Sequence, residues 1–165
     1  VKPGDLVFCT SKGIIGAAIR WAQRKDIGEV YAKYNHVAIL DREVDGEWYV
    51  IQAEAAGVTN DKKLESIAPG GQYKVVELPL SIDSDQFLEF ARSQVGSAYG
   101  YTSIVSCAFD LLLPDRICLR RTGTWICSGL TAASLMYAGF KGTQGWPDLY
   151  TVTPSEIAYA IALSV

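Results

Sequence analysis

The sequence predicts an α+β domain, with helices packed on a mainly antiparallel sheet. Segments with strand character crowd the first half of the chain, and segments with helical periodicity fill the second. Two strand candidates, 36–41 and 47–54, are joined by so short a loop that only antiparallel pairing fits. No repeat, low-complexity stretch or linker interrupts the chain, so residues 1–165 read as one domain. A domain of 165 residues buries roughly 70% of its extended surface.

Gly4-Asp5 marks a turn, and the apolar run Leu6 to Cys9 reads as a short buried strand. A helix is expected next: Ile15, Ala18, Ile19 and Ala22 recur on one helical face, while Arg20, Gln23 and Arg24 look outward. Between the paired strand candidates, Val44-Asp45-Gly46 reads as a hairpin loop. Tyr73 to Leu78 is a third strand candidate, ended by Pro79. Asp83 followed by Gln86 resembles a capping box, opening a helix with Phe87, Leu88, Ala91 and Val95 that Gly96 closes. Residues 101–113 are expected to be helical and very apolar, stopped by Pro114. From Cys127 to about Gly139, Leu130, Ala133, Leu135, Met136 and Tyr137 surround the helix axis, the pattern of a central buried helix. Thr153-Pro154-Ser155-Glu156 starts the last helix, with a cap, a proline at the first position and a glutamate three residues after the cap.

Composition narrows the function. Hydrophobic residues make up 49% and charged residues 20%, ordinary for a folded soluble protein. The net charge of −3 argues against nucleic acid as the main partner. Arg116, Arg120 and Arg121 form a small basic cluster, most simply a solvated loop. No stretch approaches the ~18 uninterrupted apolar residues of a membrane span. Val1 and the Lys2-Pro3-Gly4-Asp5 that follows it show no signal peptide, so a cytoplasmic location is the default expectation. Cys9, Cys107, Cys118 and Cys127 lack Cys-x-x-Cys spacing, and with His36 as the single histidine no metal site or cofactor is expected. Cys9 and Cys107 read as small buried hydrophobes. A disulfide framework is not expected at this size; a Cys107–Cys118 bridge stays open for an exported protein.

Cys127 opens an apolar helix as Cys-Ser-Gly-Leu, and His36 begins a strand. A thiol becomes a nucleophile when a base deprotonates it and positive potential holds the thiolate; histidine supplies the first and a helix N-terminus the second. A three-residue Val44-Asp45-Gly46 loop closes with Glu43 opposite Glu47, and then places His36 opposite Glu54, on the same face. A two-residue Asp45-Gly46 turn shifts the register by one and throws Glu54 to the other face. Both turns are chemically reasonable. The first is preferred here because it puts a carboxylate where it can orient the imidazole. On that register Cys127 attacks, His36 shuttles the proton, and Glu54 orients the ring. Gln52 shares the same face and is the alternative orienting group. The Cys127 N–H is a natural oxyanion donor.

Cys127-Ser128-Gly129-Leu130 running into Tyr137-Ala138-Gly139-Phe140 resembles the nucleophile helix of NlpC-type papain-like cysteine hydrolases. Gly4-Asp5-Leu6-Val7-Phe8 resembles the strand before the histidine strand, and Asn35-His36-Val37-Ala38-Ile39-Leu40 the histidine strand itself. The cysteine comes last, which is similar to the circularly permuted branch of YiiX-like proteins and lecithin:retinol acyltransferase relatives. Gln52-Ala53-Glu54-Ala55 with Gly57-Val58, and Thr153-Pro154-Ser155-Glu156, also resemble that branch. Tyr101 stands after Gly96-Ser97-Ala98-Tyr99-Gly100 where the family usually has aspartate, so nothing is carried over there. The resemblance implies a permuted papain-like fold, a Cys127–His36–Glu54 triad, and thiol chemistry on an amide, ester or thioester.

The leading functional expectation is a cysteine hydrolase cleaving an amide bond in a peptide or murein stem peptide. The runner-up is a lipid-directed acyl hydrolase or acyltransferase: Ile104 to Leu113, followed by the arginine cluster, can line an acyl channel and make peripheral membrane contact. Against that, the same residues read as a core helix. A non-catalytic binding or structural member of the fold is the third alternative, against which retention of all three candidate residues weighs.

Overall fold

The hairpin sets the geometry of everything near the site. In the computed structural model, which describes residues 1–10, 33–101, 123–142, 146, 149 and 152–162, β2 (His36–Val44) and β3 (Glu47–Glu54) are antiparallel. Their turn is the two-residue Asp45-Gly46, with Val44 opposite Glu47 and Glu43 opposite Trp48, which corrects the three-residue loop expected from sequence. Asp45 (φ 53°) and Gly46 (φ 79°) both sit in the left-handed region that such a turn requires. The pairing then shifts at a bulge between Leu40 and Arg42, so that Leu40 faces Val50 and Ile39 faces Ile51. Beyond the bulge the strands are in the register the longer loop would have produced.

Asp41, the bulged residue, is only 2% exposed. Its carboxylate accepts from Arg92 Nε at 2.7 Å and pairs with Arg42, while Arg92 also donates to the Asp41 carbonyl at 3.2 Å. The bulge is thereby tied to a helix on the sheet.

The sheet has five antiparallel strands in the order β4–β3–β2–β1–β5. β1 (Leu6–Cys9) and β5 (Tyr73–Val76) lie where strand patterning places them. β4 (Gly57–Lys63), followed by the single-turn helix α1 (Leu64–Ile67), was not expected. Its Thr59 to Lys63 stretch is polar and largely exposed, so an edge strand there leaves little apolar alternation to read.

Leu6, Phe8, Val37, Ile39, Ile51, Ala53 and Val58 form one buried face of the sheet. Over it pack α2 (Ser84–Ser93), α3 (Cys127–Tyr137) and α4 (Pro154–Ala162), through Phe87, Leu130, Leu135, Ile157 and Ile161. The opposite face carries Val7, Ala38, Leu40 and Val50, covered by Leu64 of α1 with Trp48, Ile67 and Val75. A short parallel pair, β6 (Ala98–Tyr99) and β7 (Thr124–Trp125), leads into α3.

Helix starts follow the sequence closely, whereas α2 stops at Ser93, so that Val95, expected on it, lies beyond its end and is exposed. Asp83 accepts from the N–H groups of Asp85 and Gln86 at 3.0 and 3.1 Å, and Gln86 donates back to it. Thr153 and Glu156 close a reciprocal capping box. Residues 128 to 135 of α3 are buried without interruption. Met136 and Tyr137 reach the surface, so the helix is central for its first two turns and not around its last. Among the described residues no helix is long and apolar enough to cross a membrane. The helix expected at 15–22, the one expected at 101–113 beyond its first residue, the arginine cluster, Cys107 and Cys118 lie outside the described residues.

Candidate active site

β2 and β3 run on to His36 and Glu54, yet the ladder between them ends at Ile39 opposite Ile51. The sheet therefore forks. His36 and Glu54, expected to face each other in the ladder, are not a ladder pair, because the strands have parted before reaching them. β2 stays with β1 along this stretch, with Val37 opposite Phe8 and His36 opposite Cys9. β3 stays with β4, with Gln52 opposite Thr59 and Glu54 opposite Gly57.

The parting frees a backbone donor. Leu40 N–H bonds to the carbonyl of Asp5, just before β1, so by strand alternation the Val37 N–H points away from β1, towards the gap. Instead of a β3 carbonyl it meets the sulfur of Cys127.

Cys127 is delivered there by α3, whose first residue it is. Ile126 precedes it in extended conformation and supplies no side-chain cap. The open N–H groups of the first turn are thus left to the sulfur, and Ser128 N–H bonds to it. Inside the helix, Thr131 and Ser134 satisfy their hydroxyls on the carbonyls of Cys127 and Leu130, so the buried polar positions carry no unmet demand.

A hydrogen bond joins the Cys127 thiol and the His36 ring. His36 Nε2 lies 2.8 Å from Gln52 Oε1. That oxygen only accepts, so Nε2 donates and Nδ1 is left to face the sulfur. Gln52 is 3% exposed and spans the fork to reach the ring. The contact expected first of Glu54, with Gln52 as the alternative, is made by Gln52. Glu54 acts on the same imidazole through its charge, the last in order of the influences on His36.

The electrostatics of the two partners agree. Burial pushes the Cys127 thiol up, but the adjoining His36 charge, the hydrogen bond to that ring and the Val37 and Ser128 N–H groups outweigh it and hold the thiol below its ordinary value. Burial pushes His36 down, but the Cys127 charge, hydrogen bonds to Cys127 and Gln52, and the Glu54 charge hold it above its ordinary value. A lowered thiol beside a raised imidazole favours the thiolate–imidazolium pair. Such a pair is chemically suited to attack an electrophilic carbon and to return a proton to a departing group.

Cys9, read from sequence as a buried packing residue, is 1% exposed and lies directly across from His36. Its thiol is pushed up to about 12, first by burial and then by the Cys127 charge. The sequence signal for this neighbour was the strand pairing of β1 with β2, which the spacing of the two segments does not specify. Among the described residues, no group of three or more His, Cys, Asp or Glu side chains is placed to hold a metal ion. No family model matches the chain, and no curated protein matches it at a significant level.

Proposed function

We propose that this chain is a cysteine hydrolase of the permuted papain-like, NlpC-type class, acting on an amide bond in a peptide or murein stem peptide. The observation that carries the proposal is the Cys127–His36 hydrogen bond at the N-terminal end of α3. Strand-borne histidine first and helix-borne cysteine last is the element order the permuted branch resembles, and the forked sheet supports it by bringing the two together.

In this reading the Cys127 thiolate attacks the carbonyl carbon. The developing oxyanion is met by the Cys127 N–H, which α3 aims outward. Imidazolium His36 then protonates the leaving amine from Nδ1, and the neutral ring activates the water that releases the acyl group. Gln52 keeps Nε2 as the donor nitrogen, which fixes the tautomer, and Glu54 favours the charged ring.

Two electrophilic probes, one peptide-like and one fatty-acyl, test the reading when their attachment site is mapped by mass spectrometry. Rapid peptide-probe labelling of Cys127, lost in Cys127→Ala and His36→Ala, is the expected result. Slow, equal labelling of every thiol would remove the enzymatic reading. Labelling by the fatty-acyl probe alone would replace the amide with a lipid ester or thioester.

A further inference from the structure

Two thiols flank His36, and the mechanism uses only one of them. Cys9 is the last residue of β1 and the cross-strand partner of His36, while Cys127 is the first residue of α3 and hydrogen-bonded to the same ring. Directly opposed residues on antiparallel strands carry their Cβ atoms about 4.5–5.5 Å apart and on one face. The Cys9 thiol is therefore held beside the imidazole that Cys127 touches. Both thiols are free, and each sits at the end of its element, where the backbone adjusts most easily.

We propose that Cys9 and Cys127 are a redox pair, closing a reversible disulfide when a hydroperoxide oxidises the nucleophile, a role that rests on Cys127 being the nucleophile. The Cys127 thiolate attacks the terminal oxygen of the hydroperoxide. An S–O bond forms, the O–O bond breaks, and the departing oxide takes the proton of imidazolium His36, leaving a sulfenic acid. The neutral ring now accepts the proton of Cys9. The Cys9 thiolate attacks the Cys127 sulfur, an S–S bond forms, and the S–O bond breaks. The hydroxide leaves as water with the proton that His36 had just accepted. Two thiols and one hydroperoxide yield one disulfide, one alcohol or water from the peroxide, and one further water.

The arrangement separates the two thiols by role. Cys127 is the one ionised next to positive charge, so it meets the oxidant first. Cys9 is held protonated first by burial and then by the negative charge on Cys127, so it is the less reactive of the two. Once Cys127 is a neutral sulfenic acid, that charge no longer opposes ionisation of Cys9. The disulfide then stops oxidation before the irreversible sulfinic acid.

The test treats the full chain with hydrogen peroxide and follows intact mass, the cross-linked peptide, and iodoacetamide labelling of Cys127. The expected product has lost two hydrogens, contains a Cys9–Cys127 peptide, has lost its Cys127 labelling, and regains that labelling with dithiothreitol. In Cys9→Ala and Cys9→Ser, peroxide should add two oxygens at Cys127, and dithiothreitol should restore nothing. If wild type instead gains oxygens as fast as these variants do, or if Cys127 pairs with Cys107 or Cys118, Cys9 has no resolving role. A fast-labelling Cys127 in unoxidised wild type leaves the hydrolase reading standing in that case. Slow, equal oxidation of all four thiols would sink both readings together.

Discussion

Replacing Gln52 with alanine removes the hydrogen bond that holds the outer nitrogen of His36, and its effect can be worked from the site. The contact is 2.8 Å long and its acceptor is almost fully buried. A hydrogen bond between neutral groups contributes about 0.5–1.5 kcal/mol and one to a charged group about 1.5–3. Protonating the ring thus strengthens the Gln52 contact by about 1–1.5 kcal/mol, and losing that contact lowers the His36 pKa. The Cys127 thiol, held low chiefly by the His36 charge working against burial, ionises beside a ring that is charged before and after, so the acid limb of its alkylation by iodoacetamide should stay in place in Gln52→Ala. The imidazolium limb, where the pair gives up its last proton, should move down. The ion-pair window narrows from its alkaline side. Initial labelling rates at Cys127 across the pH range, with thermal melts to confirm folding, measure it. Glu54→Gln should move the imidazolium limb by less, because Glu54 reaches the ring through charge alone. An imidazolium limb in Gln52→Ala that overlays wild type, beside a clear shift in Glu54→Gln, would refute Gln52 as the orienting group.

Asp41→Ala should destabilise the fold by about 1–3 kcal/mol in urea melts, because it removes a buried carboxylate that accepts from Arg92 and anchors the bulge; a loss below about 0.5 kcal/mol would mean that the bulge holds itself. Gly57→Ala should destabilise more, by about 2–4 kcal/mol, since φ is +110° and the new Cβ would lie 2.6 Å from the Ser97 carbonyl oxygen. Unchanged melting there would show that residues 96–99 move away freely. Asp83→Ala should remove about 1 kcal/mol through loss of the α2 cap and leave Cys127 labelling unaltered; altered labelling would couple α2 to the site.

Much of the fold could be read from short-range chemistry. The caps at Asp83 and Thr153, the strand from Leu6 to Cys9, and the buried opening of α3 each depend on residues within a few positions of one another. The hairpin shows where that reading stops. Asp45-Gly46 and Val44-Asp45-Gly46 are both good turns, and the choice between them is made together with a bulge whose anchor, Arg92, lies 51 positions from Asp41. Cys127 and His36 could be singled out as a pair from residue type and element position, and the structure does bring them together. Gln52 rather than Glu54 meets the ring for a long-range reason: the strands part after Ile39 and Ile51, and only a side chain that spans the gap reaches across. Cys9 reads as a small buried hydrophobe and is one; its place opposite His36 is not legible, because nothing local ties β1 to β2.

The peptide N–H of Val37 is shared between two masters, scaffold and chemistry. Extending the β2–β3 ladder by two more pairs, to Val37 opposite Ala53, would satisfy it with a carbonyl, tighten the domain, and strip the sulfur of a donor. Any effort to make this protein sturdier by zipping those strands shut should therefore trade heat resistance against reactivity at a single amide.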